Sequence, residues 1–167
     1  MITLYHGSYT SVEKPLAKTG RDNLDFGKGF YLTQLRTQAE AWAHVIAGRR
    51  GRQQQPVLNV YSFDETKMEG FRYKRFDHYD LDWLAYVIDC RQGGAMQQVY
   101  DIVEGGVAND NVIDTVEDYE KGIITAEQAL GQLRYKQVNH QLCILSQEVI
   151  DVCLRFEESV VLTYEEE

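Results

Sequence analysis

The chain has 167 residues, of which 17 are basic and 26 acidic, for a formal charge of −9. That is one domain's length, and residues 1–167 are expected to form a single domain. With 44% hydrophobic residues, among them 11 Tyr, 6 Phe and 2 Trp, wholesale disorder is excluded. A pI near 4.9 excludes a broad basic face for nucleic acid or anionic lipid and leaves room only for a narrow, locally basic pocket.

No apolar run approaches the ~20 residues of a membrane span, and Met1-Ile2-Thr3-Leu4 lacks the layout of a signal peptide, so a cytoplasmic protein without a membrane partner is expected. Cys90, Cys143 and Cys153 have no metal-type spacing and are expected to be reduced and buried.

In chain order, Ile2 to Gly7 alternates as a strand with His6 near its end, and a polar loop runs from Lys14 to Asn23. Gly27-Lys28-Gly29 turns into a second strand over Phe30 to Thr33. Thr37-Gln38-Ala39-Glu40 has capping-box spacing, and Ala39, Trp42, Ala43, Ile46 and Ala47 recur at helical intervals, so a helix is predicted from there, with Gly48 closing it. Gly48 to Gln55 reads as an exposed loop ahead of Pro56.

Val57 to Phe63 is a strand, Asp80 to Gln92 a helix, and Val99 to Val103 a further strand candidate. Thr125-Ala126-Glu127-Gln128 is a second capping box, opening a helix with Ala126, Ala129, Leu130 and Leu133 inward. Val138 to Leu145 reads as a strand, Ser146 caps a helix through Leu154, and Ser159 to Tyr164 is the last strand. Strands and helices mix without a regular βαβ rhythm, which favours α+β over a doubly wound sheet.

Several short matches carry no chemistry. Asp25-Phe26-Gly27 spells a kinase tripeptide without the rest of the kinase signature, and Gly27-Lys28-Gly29 lacks the spacing of a phosphate loop or a dinucleotide fingerprint. Asp77, His78, Asp80 and Asp82 sit where a helix begins, a place that suits acidic residues without an ion, and no metal is expected. Cys143 has His140 on the opposite face of its strand, a poor pose for a nucleophilic pair.

More specific is an ordered set: Leu4-Tyr5-His6-Gly7-Ser8, then Asp25-Phe26-Gly27-Lys28-Gly29-Phe30-Tyr31-Leu32-Thr33, then Ala39 to Ala43, then Asn139-His140-Gln141. This series resembles the ADP-ribosyltransferase superfamily, in particular the branch with a His, Tyr, Glu triad that includes the poly(ADP-ribose) polymerases. Over Ile2 to Phe156, with Asp101 to Asp110 and Asn139-His140-Gln141 as middle and late motifs, the chain is most similar to the bacterial domain-of-unknown-function family 3990, placed in the same superfamily.

The resemblance implies an α+β fold with a split antiparallel β-sandwich and helices outside it. It implies NAD as co-substrate and mono-ADP-ribosyl transfer to a macromolecular acceptor with release of nicotinamide. His6, Tyr31 and Gln141 take the catalytic places, and His6, Gly7, Ser8, Arg21, Lys28, Tyr31 and Trp42 the NAD-binding ones. A bacterial toxin or effector role, restrained by a small antitoxin, is also implied.

The residues give physical reasons of their own. Two aromatic rings, Tyr31 and Trp42, suit a positively charged nicotinamide, and each contact of this kind contributes ~0.5–2 kcal/mol. Gly7 lets backbone approach a carboxamide, His6 can donate to a ribose hydroxyl, and Arg21 and Lys28 can offset a pyrophosphate. Gln141 stands where the triad has Glu. A unit charge ~4 Å from the developing cation contributes on the order of 4 kcal/mol at an effective dielectric of ~20, and a dipole supplies only part of that. The alternatives are therefore a weak or inactive NAD or ADP-ribose binding module, or a plain protein-interaction domain.

Overall fold

A computed structural model describes all residues except 19, 52–53, 109–111, 135, 137–139 and 165–167. Its elements in chain order are β1 (Ile2–Ser8), β2 (Phe30–Leu32), α1 (Arg36–Arg50), β3 (Val57–Phe63), β4 (Tyr73–Arg75), α2 (Leu81–Arg91), β5 (Ile102–Gly106), α3 (Ile113–Glu120), α4 (Ala126–Leu133), β6 (His140–Ile144), α5 (Gln147–Cys153) and β7 (Leu154–Val161). The class is α+β, with two sheets and five α-helices among the described residues. The chain divides into two compact units, each discontinuous in sequence: Met1–Leu16, Tyr31–Gly70 and Gln147–Glu167 form the first, Ala17–Phe30 and Phe71–Ser146 the second.

In the first unit β3 is the central strand of an antiparallel sheet ordered β1-β3-β7. The register sets Tyr5 opposite Val60 and Gly7 opposite Leu58. Ala39 of α1 forms a core with Leu58 and Val60, flanked by Tyr5, Val160 and Leu162. The helix therefore covers the strand face at Tyr5 and Gly7. Its approach is close: a Cβ on Gly7 would stand 2.1 Å from the Ala39 carbonyl oxygen and 2.7 Å from the Ala43 nitrogen. No side chain larger than hydrogen fits there.

On the opposite face Asn59 is fully buried and satisfied. It accepts from the Val12 N–H at 2.9 Å and from the Ser159 hydroxyl at 2.8 Å, and donates to the Thr10 carbonyl at 3.1 Å. The Tyr61 hydroxyl donates to the Val12 carbonyl, and burial pushes its pKa upward.

Helix α1 departs from its predicted ends. Its N-cap is Leu35, with no side-chain cap, because the hydroxyl of Thr33 takes the Leu35 N–H at 3.1 Å and donates to Gln38 Oε1 at 3.1 Å. Thr37 therefore lies inside the helix, and Glu40, the acidic member of the expected box, is bound to Arg36 at 2.8 Å. Gly48 does not close the helix either. It runs to Arg50 and stops at Gly51, whose φ of 106° is a conformation that favours glycine. The buried stripe is Ala39, Ala43 and Ala47, and Trp42 lies off it, 45% exposed.

In the second unit β4 runs parallel to β5, and β5 antiparallel to β6. A purely antiparallel arrangement is therefore corrected. The connection from β4 to β5 passes through α2, and a helical crossover of this kind is what lets two strands run in the same direction. Asp80 caps α2 by accepting from the Trp83 N–H at 2.8 Å, and Trp83, Leu84, Tyr86, Val87 and Cys90 are buried. Thr125 and Gln128 form both arms of the second capping box at the start of α4. Ala129 and Leu133 of that helix are buried, whereas Ala126 and Leu130 are half-buried.

Three strand boundaries differ from expectation. The strand predicted over Val99 to Val103 begins at Ile102, after a 3-10 turn over Ala95–Gln98. Helix α5 ends at Cys153, and β7 begins at once, because Leu154 pairs with Phe63 and the strand continues along β3 to Val161. The strand predicted from Val138 is described from His140, and residues 138 and 139 lie outside the described residues. Cys90, Cys143 and Cys153 are buried and form no disulfide, and burial pushes the Cys90 pKa up to about 12.

The contact at Gly7 gives a direct test. Gly7→Ala is expected to lower stability by about 1–3 kcal/mol, the usual range for overpacking a tight contact, read from the urea midpoint of the variant against wild type.

Candidate ligand site

The first unit brings His6 and Tyr31 together. Tyr5 exchanges two backbone bonds with Thr33, its N–H donating at 2.8 Å and its carbonyl accepting at 3.0 Å. Continuing that register would set Gly7 opposite Tyr31, but no bridge forms there. Instead the His6 ring reaches across, and its Nδ1 donates to the Tyr31 carbonyl at 2.7 Å.

A carbonyl only accepts, so this bond puts the hydrogen on Nδ1 and leaves Nε2 of the neutral ring as an acceptor. Burial lowers the His6 pKa from its ordinary value, outweighing the opposing effect of the Tyr31 carbonyl, and the ring stays neutral at pH 7. The Nδ1 hydrogen is thus used within the fold, on the Tyr31 carbonyl.

Gly7 is buried, and its peptide groups lie on the edge of β1 away from β3, because alternate residues of an antiparallel strand point their N–H and C=O to the same side and Tyr5 points toward Thr33. Among the described residues neither group bonds to another. A buried donor and acceptor side by side without partners are rare in a folded chain. Together they complement a primary carboxamide, whose oxygen accepts and whose amine donates. Ser8 is buried at the end of the same strand.

Trp42 is placed differently from expectation. Its ring stands on the exposed side of α1 with the Arg49 guanidinium 5.3 Å from its centroid.

The second unit holds Arg21, Lys28 and Gln141. Gln141 lies in β6 opposite Gly105 of β5, half-buried, on the strand face it shares with Cys143. Lys28 is already paired, its Nζ 3.3 Å from Asp22, while its backbone N–H donates to Gln97 at 3.0 Å. Arg21 is exposed, with no carboxylate partner among the described residues. Gly29 sits where a Cβ would meet Cys143 Sγ at 2.5 Å and the Ile144 carbonyl at 2.8 Å, so the loop lies directly on β6. Asn109, Asp110 and Asn139 of the late motifs lie outside the described residues.

Sequence reasoning missed a half-buried acid that ties this unit together. Asp25 accepts from Ala108 N–H at 2.7 Å and from Arg91 at 3.1 Å. Arg91 also faces Glu120 at 3.5 Å and Glu117 at 3.7 Å. Burial raises the Asp25 pKa despite these donors. The two residues before Ala108 are held as well, Gly106 by the Trp83 indole N–H at 2.7 Å and Val107 by the Tyr79 hydroxyl at 3.0 Å. Three side chains thus fix three successive peptide groups at the exit of β5. The visible signal was an acid directly before Phe26-Gly27, set aside as a chance kinase match.

The acidic residues near α2 have local partners: Asp77 accepts from Arg75 at 2.7 Å, and Asp80 serves as the cap described above. No described helix is long and apolar enough to cross a membrane.

A family model described as a protein of unknown function, DUF3990, matches residues 2–156. No curated protein and no solved structure matches the chain.

The neutral His6 ring makes stability pH-dependent with a definite sign. The unfolded chain takes up the proton more readily than the folded one, so this contribution is complete above about pH 6.5 and is lost as pH falls below it. Urea midpoints between about pH 7.5 and 5.5 should fall faster for wild type than for His6→Gln, by no more than ~1.4 kcal/mol per pH unit for one proton.

Proposed function

We propose, for a chain that belongs to the DUF3990 family, that it is an NAD-dependent mono-ADP-ribosyltransferase. The observation that supports this best lies in the first unit: a buried Gly7 edge with an open N–H and C=O, beside an imidazole locked by the Tyr31 carbonyl. Nicotinamide carries the carboxamide that such an edge complements, and NAD carries that group next to a ribose, on the side where the His6 ring stands.

In this reading Gly7 holds the carboxamide and fixes the pyridinium ring in the plane of the strand edge. The Tyr31 ring attracts the cationic ring face. The bond from ribose C1′ to the nicotinamide nitrogen breaks, the electron pair leaves with neutral nicotinamide, and the positive charge spreads over the ribose ring. The acceptor's nucleophile then bonds to C1′ and loses its proton. Gln141 orients the ribose hydroxyl and turns its amide dipole to the growing charge. With a dipole in place of a carboxylate, transfer of one unit is favoured over elongation, because nothing deprotonates the incoming hydroxyl. Arg21 is the better candidate for the pyrophosphate, since Lys28 is neutralised by Asp22.

Gln141 also supports the second reading, a module that binds NAD without turning it over. Release of labelled nicotinamide from NAD separates the two. Transfer predicts release that falls at least about tenfold in His6→Ala and Tyr31→Ala, and in Gln141→Ala a loss of turnover larger than the loss of affinity. NAD binding without release across varied acceptors would establish the module. An unchanged thermal midpoint with added NAD would remove both, because a ligand that binds only the native state must raise it. A toxin role further predicts growth arrest when the chain is expressed alone in bacteria.

A further inference from the structure

The C-terminal end of α1 departs from the chain's acidic character. Among the described residues Arg36, Arg72, Arg75 and Arg91 each pair with a carboxylate, whereas Arg49 and Arg50, like Arg21 and Arg155, pair with none, and only these two adjoin along one helix turn. Each lies over an aromatic ring instead: Arg50 4.1 Å from the centroid of Tyr9, Arg49 5.3 Å from that of Trp42. Both arginines are exposed, Trp42 is 45% exposed, and Val45, one turn before Arg49, is 43% exposed.

A basic last turn complements the helix dipole, which accounts for the positions of Arg49 and Arg50 along the helix. It does not account for the two rings beneath them. A guanidinium laid on an aromatic face keeps its N–H edge turned outward, held in a plane that suits the two oxygens of a phosphate. An exposed indole beside it offers a face on which a base stacks, as in single-stranded complexes. Paired bases cannot reach such a ring, and an acidic peptide makes no use of it.

We infer that Tyr9, Trp42, Arg49 and Arg50 form a docking surface for a single-stranded nucleic acid, the guanidinium groups holding phosphates and Trp42 stacking a base. This goes beyond the NAD reading and does not need it.

The test is fluorescence anisotropy of a labelled uridine dodecamer titrated with the full chain, without NAD. Binding is expected to weaken with salt at a log–log slope of about −1.4, the value for two phosphate contacts on a single strand. Arg49→Gln with Arg50→Gln should lower affinity at least about tenfold and flatten that slope, with an unchanged thermal midpoint. Arg49→Glu with Arg50→Glu should abolish binding. No binding at about 20 mM salt, equal affinity in the double-Gln variant, or displacement of the dodecamer as effectively by polyglutamate or anionic vesicles would overturn the inference. Since no nicotinamide is released in this assay, its failure leaves the NAD reading standing, and the reverse holds equally.

Discussion

The first unit depends on an absence of atoms. Helix α1 rests on β1 with the Ala39 carbonyl and Ala43 nitrogen where a Gly7 side chain would be, and the alanine stripe of α1 lets the two backbones approach. That contact holds the end of β1 at a fixed depth. The antiparallel register with β3 then determines which way its peptide groups point, and they point toward the side where Tyr5 meets Thr33. Because Tyr5 bridges to Thr33, just past β2, and no such bridge forms at Gly7, the strand edge beyond it keeps a donor and an acceptor available. The His6 ring, bonded to the Tyr31 carbonyl, stands beside them. One packing constraint thus produces both the helix placement and the polar edge.

The second unit solves a different problem with similar economy of space. Its loop carrying Phe26 to Gly29 lies against β6, with Gly29 over Cys143 and Phe26 buried between Phe76 and Tyr86. Fixing such a loop needs more than apolar contact, and Asp25 supplies the polar tie to Arg91 and Ala108. A buried carboxylate is costly unless its oxygens are bonded, and here both are. The result is a rigid exit from β5, opposite the strand that bears Gln141.

Local patterns were legible where the local backbone decides, and illegible where a distant group takes over. Val57 to Phe63 forms the predicted strand, and Asp80 begins α2 as its spacing implies. Thr125 and Thr37 open sequences with the same capping spacing, yet only the first makes the box. The difference is that α1 already begins at Arg36, with its Leu35 N–H held by the Thr33 hydroxyl and Glu40 held by Arg36, which leaves Thr37 inside the helix. Likewise the final strand starts at Leu154 because it pairs with Phe63, ninety-one positions away, which no alternation within the segment reveals. The pairing of His6 with Tyr31 followed from motif order, but its chemistry did not: the tautomer is set by a carbonyl twenty-five residues on. The Asp25 tie was invisible for the same reason, since Arg91 and Ala108 lie far along the chain.

The central claim is that the Gly7 peptide edge receives a carboxamide. The most direct measurement is nitrogen–proton NMR of the labelled chain titrated with nicotinamide and, separately, with nicotinic acid. The account predicts that the Gly7 amide signal and the His6 ring signals move saturably with nicotinamide and much less with the acid, which lacks the amine to donate. A Gly7 signal unmoved by nicotinamide and by NAD, while signals elsewhere in the chain shift, would contradict it.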